Sequence, residues 1–351
     1  MRRGLIEWSK TELPESVFDA RIAAMRTEMA AGKIDALVAY TNFTRTSAVS
    51  WLCDFIPYWS ECALVLPKSG PLTMVSAVSP RGKPWVEGTT YSEVLLFSPK
   101  IGAETARVLK ESLPAGATIG VVELDEVPAA LGLALKASGT LVDATAAFVA
   151  ARGAGDAADI GLAKTAAGFA HRALAAIDAA GTDATAAVAA VDLAARRLGA
   201  EESYVAIAPD LRADRRLLRL EGPATLGAAY ALRATVAYKG TWVRMIRTVV
   251  RDDSRGLIRT ATAQLAAAVA ELPRLEKFQA LDSWLIETSR AGQPLTAVAG
   301  SAVPQPEAFA PGALLSVQAA TVIDGTPILI GTPAIAGSAG TAGAFLVAPS
   351  F

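Results

Sequence analysis

Histidine is almost absent from this chain: His171 is the only one in 351 residues. Cysteine is nearly as scarce, limited to Cys53 and Cys62. Together these counts exclude the usual imidazole and thiolate zinc sets, so a resident metal would need mainly carboxylate ligands. They also leave a single imidazole for any mechanism that depends on a histidine base. Two cysteines are too few for a disulfide scaffold and lack a metal-pair spacing, so buried free thiols in a reducing compartment are expected. An excess of one charge sign is lacking too. The 33 Lys+Arg and 34 Asp+Glu leave a formal net charge of −1, which gives no electrostatic reason to expect nucleic acid or an anionic membrane as partner. Long apolar runs are missing as well. The chain is 52% hydrophobic with a mean hydropathy of +0.36, but much of this is alanine, a helix former. No uninterrupted run approaches the roughly 18 residues that cross a bilayer. The opening MRRGLIEWSKTELPE lacks the apolar centre of a secretory signal, so a cytoplasmic location is expected. No Walker-type loop occurs: GSAGTAG at Gly337–Gly343 lacks the GK[ST] ending and is expected to be a turn between the final strands.

What is present is enough chain for two domains, each with its own core. In the first part, short β-type runs alternate with helical stretches. Phe18, Ile22, Met25 and Met29 recur at helical spacing over Phe18–Ala31. Strands are expected at Ala36–Tyr40, Ala63–Leu66, Leu72–Val75, Val94–Phe97 and Thr118–Val122, with a helix over Glu104–Ser112. This order predicts an α/β domain over residues 1–150. The Gly-containing stretch ARGAGDAA at Ala151–Ala158 marks the boundary, and residues 151–351 form the second domain. There, Asp159–Ala180 reads as an Ala-rich helix closed by Gly181. Thr182 and Asp183 are suitable caps for a second helix, Ala184–Leu198. Strands follow at Tyr204–Ala208, Leu232–Tyr238 and Trp242–Val250, then helices near Gly256–Leu272 and Phe278–Ser289. The last strands fall at Leu314–Val317, Ile328–Ile330 and Ala344–Val347. Helix pairs alternating with strands predict an α+β fold with internal pseudo-symmetry.

Several stretches carry a family resemblance. The segment DALVAYTNFTRTSAVSWLCDF (Asp35–Phe55), preceded by a helix bearing Arg21, keeps an Asn at Asn42 and has Asp54 where a glycine is usual. AKTAAGFAHRALAAIDAAGTDATAAVAAV has the form of an opening helix, a turn and a second helix, with Asp183 in place of a usual Glu. ALRATVAYKGTWVRMIRTVV (Ala231–Val250) keeps Tyr238, Gly240, Arg247 and Thr248 of the pattern D-x-G-x-x-Y-x-G-x-x-x-D-x-x-R-T. Over nearly its whole length the chain resembles the pitta-bread family that contains methionine aminopeptidase, prolidase, aminopeptidase P and creatinase. The implied fold is an α/β creatinase-like N-terminal domain followed by an α+β pitta-bread domain with pseudo-symmetric helices and an antiparallel sheet.

The resemblance also implies where metal ligands would stand, and they are missing. Arg233 and Arg244 occupy the two aspartate positions. Gln318, in PGALLSVQAA, takes the place of a glutamate, and a last glutamate falls at Gly331 or Thr332. The family's metal histidine belongs around Ser289–Val303, where this chain has none, and a further histidine falls near Arg216. With a turn centred on Tyr238-Lys239, Arg233 and Arg244 are expected to face each other on adjacent strands, where two guanidinium groups repel a metal ion. Arg247, an odd number of residues further along, is expected to point the other way.

The expected function follows from that exchange of charge. No metal and no cofactor are expected. Arg233 and Arg244 either pair with carboxylates from elsewhere or hold an anion, for which planar guanidinium groups are suited. Arg233, Arg244, Gln318, Arg216 and Thr332 are the candidate pocket residues. His171 sits within a helix and is expected to be a packing or surface residue. The basic run LRADRRLLR (Leu211–Arg219) reads as a solvated loop or interface, with a contribution to a pocket as the alternative. The Ile56–Trp59 aromatics are either core or interface. The chain thus reads as a catalytically degenerate relative: a small-anion-binding protein, or a non-catalytic subunit beside an active paralogue. The alternative is a metal-independent hydrolase of a small C–N compound resembling creatinase. The resemblance implies a homodimer, or a heteromer with a paralogous subunit.

Overall fold

A computed structural model describes residues 7–42, 47–57, 59–272, 274–288, 297–300 and 309–348. The chain divides into two compact units, with the division along the sequence between Gly153 and Ala154.

The first unit contains α1 (Glu15–Ala31), β1 (Ala36–Asn42), α2 (Ser47–Cys53), β2 (Glu61–Pro67), β3 (Thr73–Ser76), α3 (Lys83–Thr89), β4 (Val94–Phe97), α4 (Ile101–Ser112), β5 (Thr118–Val121), α5 (Ala129–Lys136), β6 (Thr140–Asp143) and α6 (Thr145–Arg152). Its sheet has the order β4-β3-β2-β1-β5-β6, with β2 antiparallel to both β1 and β3 and the remaining pairs parallel. The unbroken apolar run of β1 reflects burial on both faces. Leu37 and Ala39 join a core with α1, α2 and Phe148 of α6, whereas Ala36 and Val38 join one with α4 and α5. Arg21 is buried yet satisfied: its Nη1 donates to the Trp51 carbonyl at 2.8 Å, and its guanidinium lies over the Trp51 ring. Asp54 has φ +56°, a left-handed backbone that explains why a glycine is the usual occupant of that position. Both cysteines are free and buried, and burial pushes each thiol up to about 12.

The second unit contains α7 (Ala157–Ala175), α8 (Ala184–Arg197), β7 (Glu202–Ala208), β8 (Ala229–Tyr238), β9 (Thr241–Val250), α9 (Leu257–Ala270), β10 (Ser283–Thr288), β11 (Ala297–Ala299), β12 (Leu314–Ile323), β13 (Thr326–Ile335) and β14 (Ala344–Phe345). Seven strands form an antiparallel path, β11-β10-β12-β13-β9-β8-β7, with β14 added beside β13. Of the two expected caps, Asp183 is used and starts α8 by accepting the Thr185 amide; α7 starts at Asp156, which accepts the Asp159 amide. Strand alternation sends Leu232, Ala234, Val236, Val243 and Met245 into a core with α7 and α8. Ile286, Val317, Ala319 and Ile330 go into a core with α9 and Phe278. One face of the sheet is therefore covered by the unit's helices; the other, the helix-free face, carries none among the described residues.

Two of the helices expected from the sequence differ in the structure. The Ala-rich first helix ends at Ala175, before the expected Ala180. Over the described part of the expected Phe278–Ser289 helix, residues 278–288, no α-helix forms: a short 3-10 turn over Glu276–Ala280 leads into β10. Phe278, Leu281 and Trp284 mimic helical spacing, but Trp284 and Ile286 are buried by period-two alternation.

Candidate functional site

The hairpin β8–β9 turns at Lys239-Gly240, where both residues have positive φ, +44° and +72°. This is the type I′ geometry that matches strand twist. Tyr238 consequently pairs with Thr241, Arg233 with Ile246 and Arg244 with Thr235. The facing arrangement expected for Arg233 and Arg244 is thus corrected to a diagonal one, because the turn lies one residue further along than Tyr238-Lys239. A shift of pairing partner by two residues preserves the side on which each residue stands, so both arginines remain on the helix-free face. Arg247 lies on the opposite face, where its Nη1 donates to the Leu174 carbonyl at the end of α7 at 2.7 Å.

Register across the sheet shows what joins the two arginines. Leu285, Gln318, Gly331, Ile246, Arg233 and Ala206 form one cross-strand row. Glu287 and Ser316 are paired in the neighbouring row on the same face. Arg244 Nη1 donates to Glu287 Oε2 at 2.8 Å, and Gln318 Nε2 donates to the same oxygen at 3.2 Å. Arg244 is 43% exposed and Glu287 only 14%, so the pair lies at the edge of solvent. Arg233 is half-buried, and its Nε is inaccessible and has no hydrogen-bond partner. Burial lowers its pKa from the ordinary arginine value, as does the nearby positive charge of Arg244, with Glu287 acting in the opposite direction. Ser316 is a second unsatisfied group here: it is 5% exposed and its Oγ has no partner.

The candidate residues taken from the sequence are therefore only partly brought together. Arg233, Arg244 and Gln318 share one face. Thr332 does not: it pairs with Val317 on the helix-covered face and is fully buried. Its neighbour Gly331 occupies the helix-free face instead. Arg216 is also separate, on an exposed loop where its guanidinium grips Asp214 at 2.8 Å. That loop folds back through an Ile207–Leu218 bridge, and Leu211 and Leu217 cover Ile246 and Leu329 at one end of the face. His171 is on α7, held below its ordinary 6.5 by burial, then by the charges of Arg247 and Arg172. Of the Ile56–Trp59 aromatic stretch, Ile56 is core, Trp59 is 64% exposed and stacked on Trp85, and Tyr58 lies outside the described residues. The expected metal-histidine region, 289–303, lies mostly outside the described residues too. Glu287 escaped the sequence reading; the available signal was a lone carboxylate on the outward side of an alternating strand.

This donor set does not suit a divalent cation. Two guanidinium groups and a carboxamide face one carboxylate, and that carboxylate is engaged by Arg244. Among the described residues, no group of three or more His, Cys, Asp or Glu side chains is placed to hold a metal ion.

Comparison with known proteins bears on the fold that carries this arrangement. Residues 21–153 match the creatinase/prolidase N-terminal domain. The whole chain is similar to a solved Xaa-Pro dipeptidase from Bacillus anthracis, with 16% identity, a TM-score of 0.67, and coverage of 94% of this chain and 97% of that one. The chain has a pitta-bread fold with a creatinase/prolidase N-terminal domain. An X-Pro aminopeptidase from Thermotoga maritima is similar to this pitta-bread chain at 14% identity and a TM-score of 0.66, covering 93% of this chain and 97% of the other. So is the N-terminal domain of the FACT complex subunit SPT16 from Cicer arietinum (chickpea), at 11% identity and a TM-score of 0.56, covering 96% and 97% respectively. At these identities the likeness concerns the fold. No curated protein matches the sequence. Among the described residues, no helix is long and apolar enough to cross a membrane.

Proposed function

We propose that this pitta-bread protein is a catalytically degenerate member of its fold that binds a small anion on the helix-free face. The observation that carries the reading is Arg233: a half-buried guanidinium with an unpartnered Nε, beside a second arginine whose charge Glu287 already balances. An unsatisfied buried donor costs about 1–3 kcal/mol, more when charged. A bound carboxylate or phosphate would offset the burial of that positive charge through charge-assisted hydrogen bonds to the guanidinium. Hydrolysis is less well supported. The chain's one imidazole, His171, sits on α7 beside Arg247, which points away from the face that bears Arg233.

Calorimetric titration with propionate and with inorganic phosphate tests the reading. Binding of at least one anion is expected, with a loss of about tenfold or more in Arg233→Ala. No binding of either anion, or an unchanged affinity in the variant, would remove the anion site. Stoichiometric Mn, Co, Zn or Fe in the purified protein would overturn the metal-free reading. A second role, as a non-catalytic subunit, is favoured by the fold-level likeness to a domain of the FACT complex subunit SPT16. Co-purification with a paralogous chain would support it, and a lone homodimer in cell extract would count against it.

A further inference from the structure

Two aromatic side chains stand on the same face as the arginines and have no part in the core. Tyr204 of β7 and Trp242 of β9 stack across the intervening strand, ring centroids 5.7 Å apart with an interplanar angle of 18°. Their contact spans β8 because Ala237, the register partner of Trp242, is too small to separate them. Tyr204 is 53% exposed, and its hydroxyl donates to Glu202 Oε2 at 2.7 Å. Alternation puts Trp242, Arg244 and Ile246 on one side of β9, so the indole and the Arg244 guanidinium are same-side neighbours along one strand. Their Cβ atoms are separated by roughly 7 Å, twice the rise per residue. Among the described residues, Glu202 on this face is engaged by Tyr204, and Glu287 by Arg244 and Gln318. The Ser316 hydroxyl, nine-tenths buried and without a partner, adds a free donor and acceptor in the row of Glu287.

We infer that the helix-free face selects one class of anion, a small carboxylic acid carrying a flat ring two to three bonds from the carboxylate. The ring would lie against the Tyr204–Trp242 stack, and the carboxylate would lie toward Arg233 and Arg244 with Ser316 within the same polar patch. This inference rests on the anion-binding reading above and adds a ring subsite to it. The physical reason for the pairing is complementarity of two adjoining surfaces: an aromatic shelf that rewards planar apolar area and a cationic patch that rewards an oxyanion.

The test compares 3-phenylpropionate with propionate by calorimetry on the full chain, so that it does not depend on any variant folding. The aryl acid is expected to bind about tenfold tighter. Trp242→Ala should erase that preference while leaving propionate affinity unchanged, and Trp242→Phe should restore most of it. Equal affinity for the two acids, or an undiminished preference in Trp242→Ala, would overturn the ring subsite while leaving the anion site standing. Failure of both acids to bind the wild-type chain would overturn the anion site and the ring subsite together.

Discussion

Arg233 shows how a single side chain can oppose folding and still persist. Its Nε is buried without a partner, and a second guanidinium lies close by. Replacing such a group with an apolar residue of similar bulk is often neutral or stabilising. Arg233→Leu is therefore expected to raise the urea midpoint, by about 1 kcal/mol in unfolding free energy, while abolishing anion binding. A lower midpoint would mean that the arginine supports the fold and that the unpartnered nitrogen carries no cost. Arg244 contrasts with it. Its bond to Glu287 is 2.8 Å long and partly exposed, so its contribution belongs to the modest range of exposed pairs, about 1 kcal/mol or less. Arg233 and Arg244 were singled out in the sequence by the family resemblance, which sets aspartates at those two positions. It did not disclose Glu287, Ser316, Tyr204 or Trp242. Local sequence marks only Glu287, as a lone carboxylate on an alternating strand, and cross-strand register is what brings the four together.

At the scale of elements, the hairpin between β8 and β9 determines which side chains meet. Both turn residues adopt left-handed backbone, and Gly240 does so with φ +72°. A β-branched residue there pays for a conformation that costs L-residues about 1–2 kcal/mol. Gly240→Val should lower stability by that amount, measurable as a shift in urea midpoint with unchanged slope. An unchanged midpoint would show that the turn is not under this constraint. The strands of this hairpin were legible because tight alternation and a Lys-Gly turn coincide. Their pairing was not, since a turn placed at 238–239 and one at 239–240 produce almost the same apolar pattern. The region after α9 was misread for a related reason. Phe278, Leu281 and Trp284 satisfy a helical period over a window too short to reveal that Trp284 and Ile286 alternate.

For the molecule as a whole, two compact units with separate cores emerge from a chain of unusually alanine-rich composition. The fold was readable at this scale because element order, boundary glycines and a few family residues all point the same way. The activity was less readable, because one fold hosts many functions. If no metal contributes to stability, chelation should have no effect. Dialysis against EDTA is expected to leave the melting temperature and the circular dichroism spectrum unchanged. A fall of several degrees would reveal a structural ion, since a ligand bound to the native state alone stabilises it by mass action.

The Lys239-Gly240 turn has one further consequence, for how such a chain tolerates insertions and deletions. Adding two residues to the loop would slide the strands past each other yet keep every side chain on its own side of the sheet. Adding one residue that re-registers β9 would invert it: Arg244 would enter the apolar space beneath α7, and Arg247 would leave its carbonyl partner for the solvent side. Length changes at this tip should therefore be filtered by parity, with even steps surviving and odd steps surviving only when a bulge absorbs them.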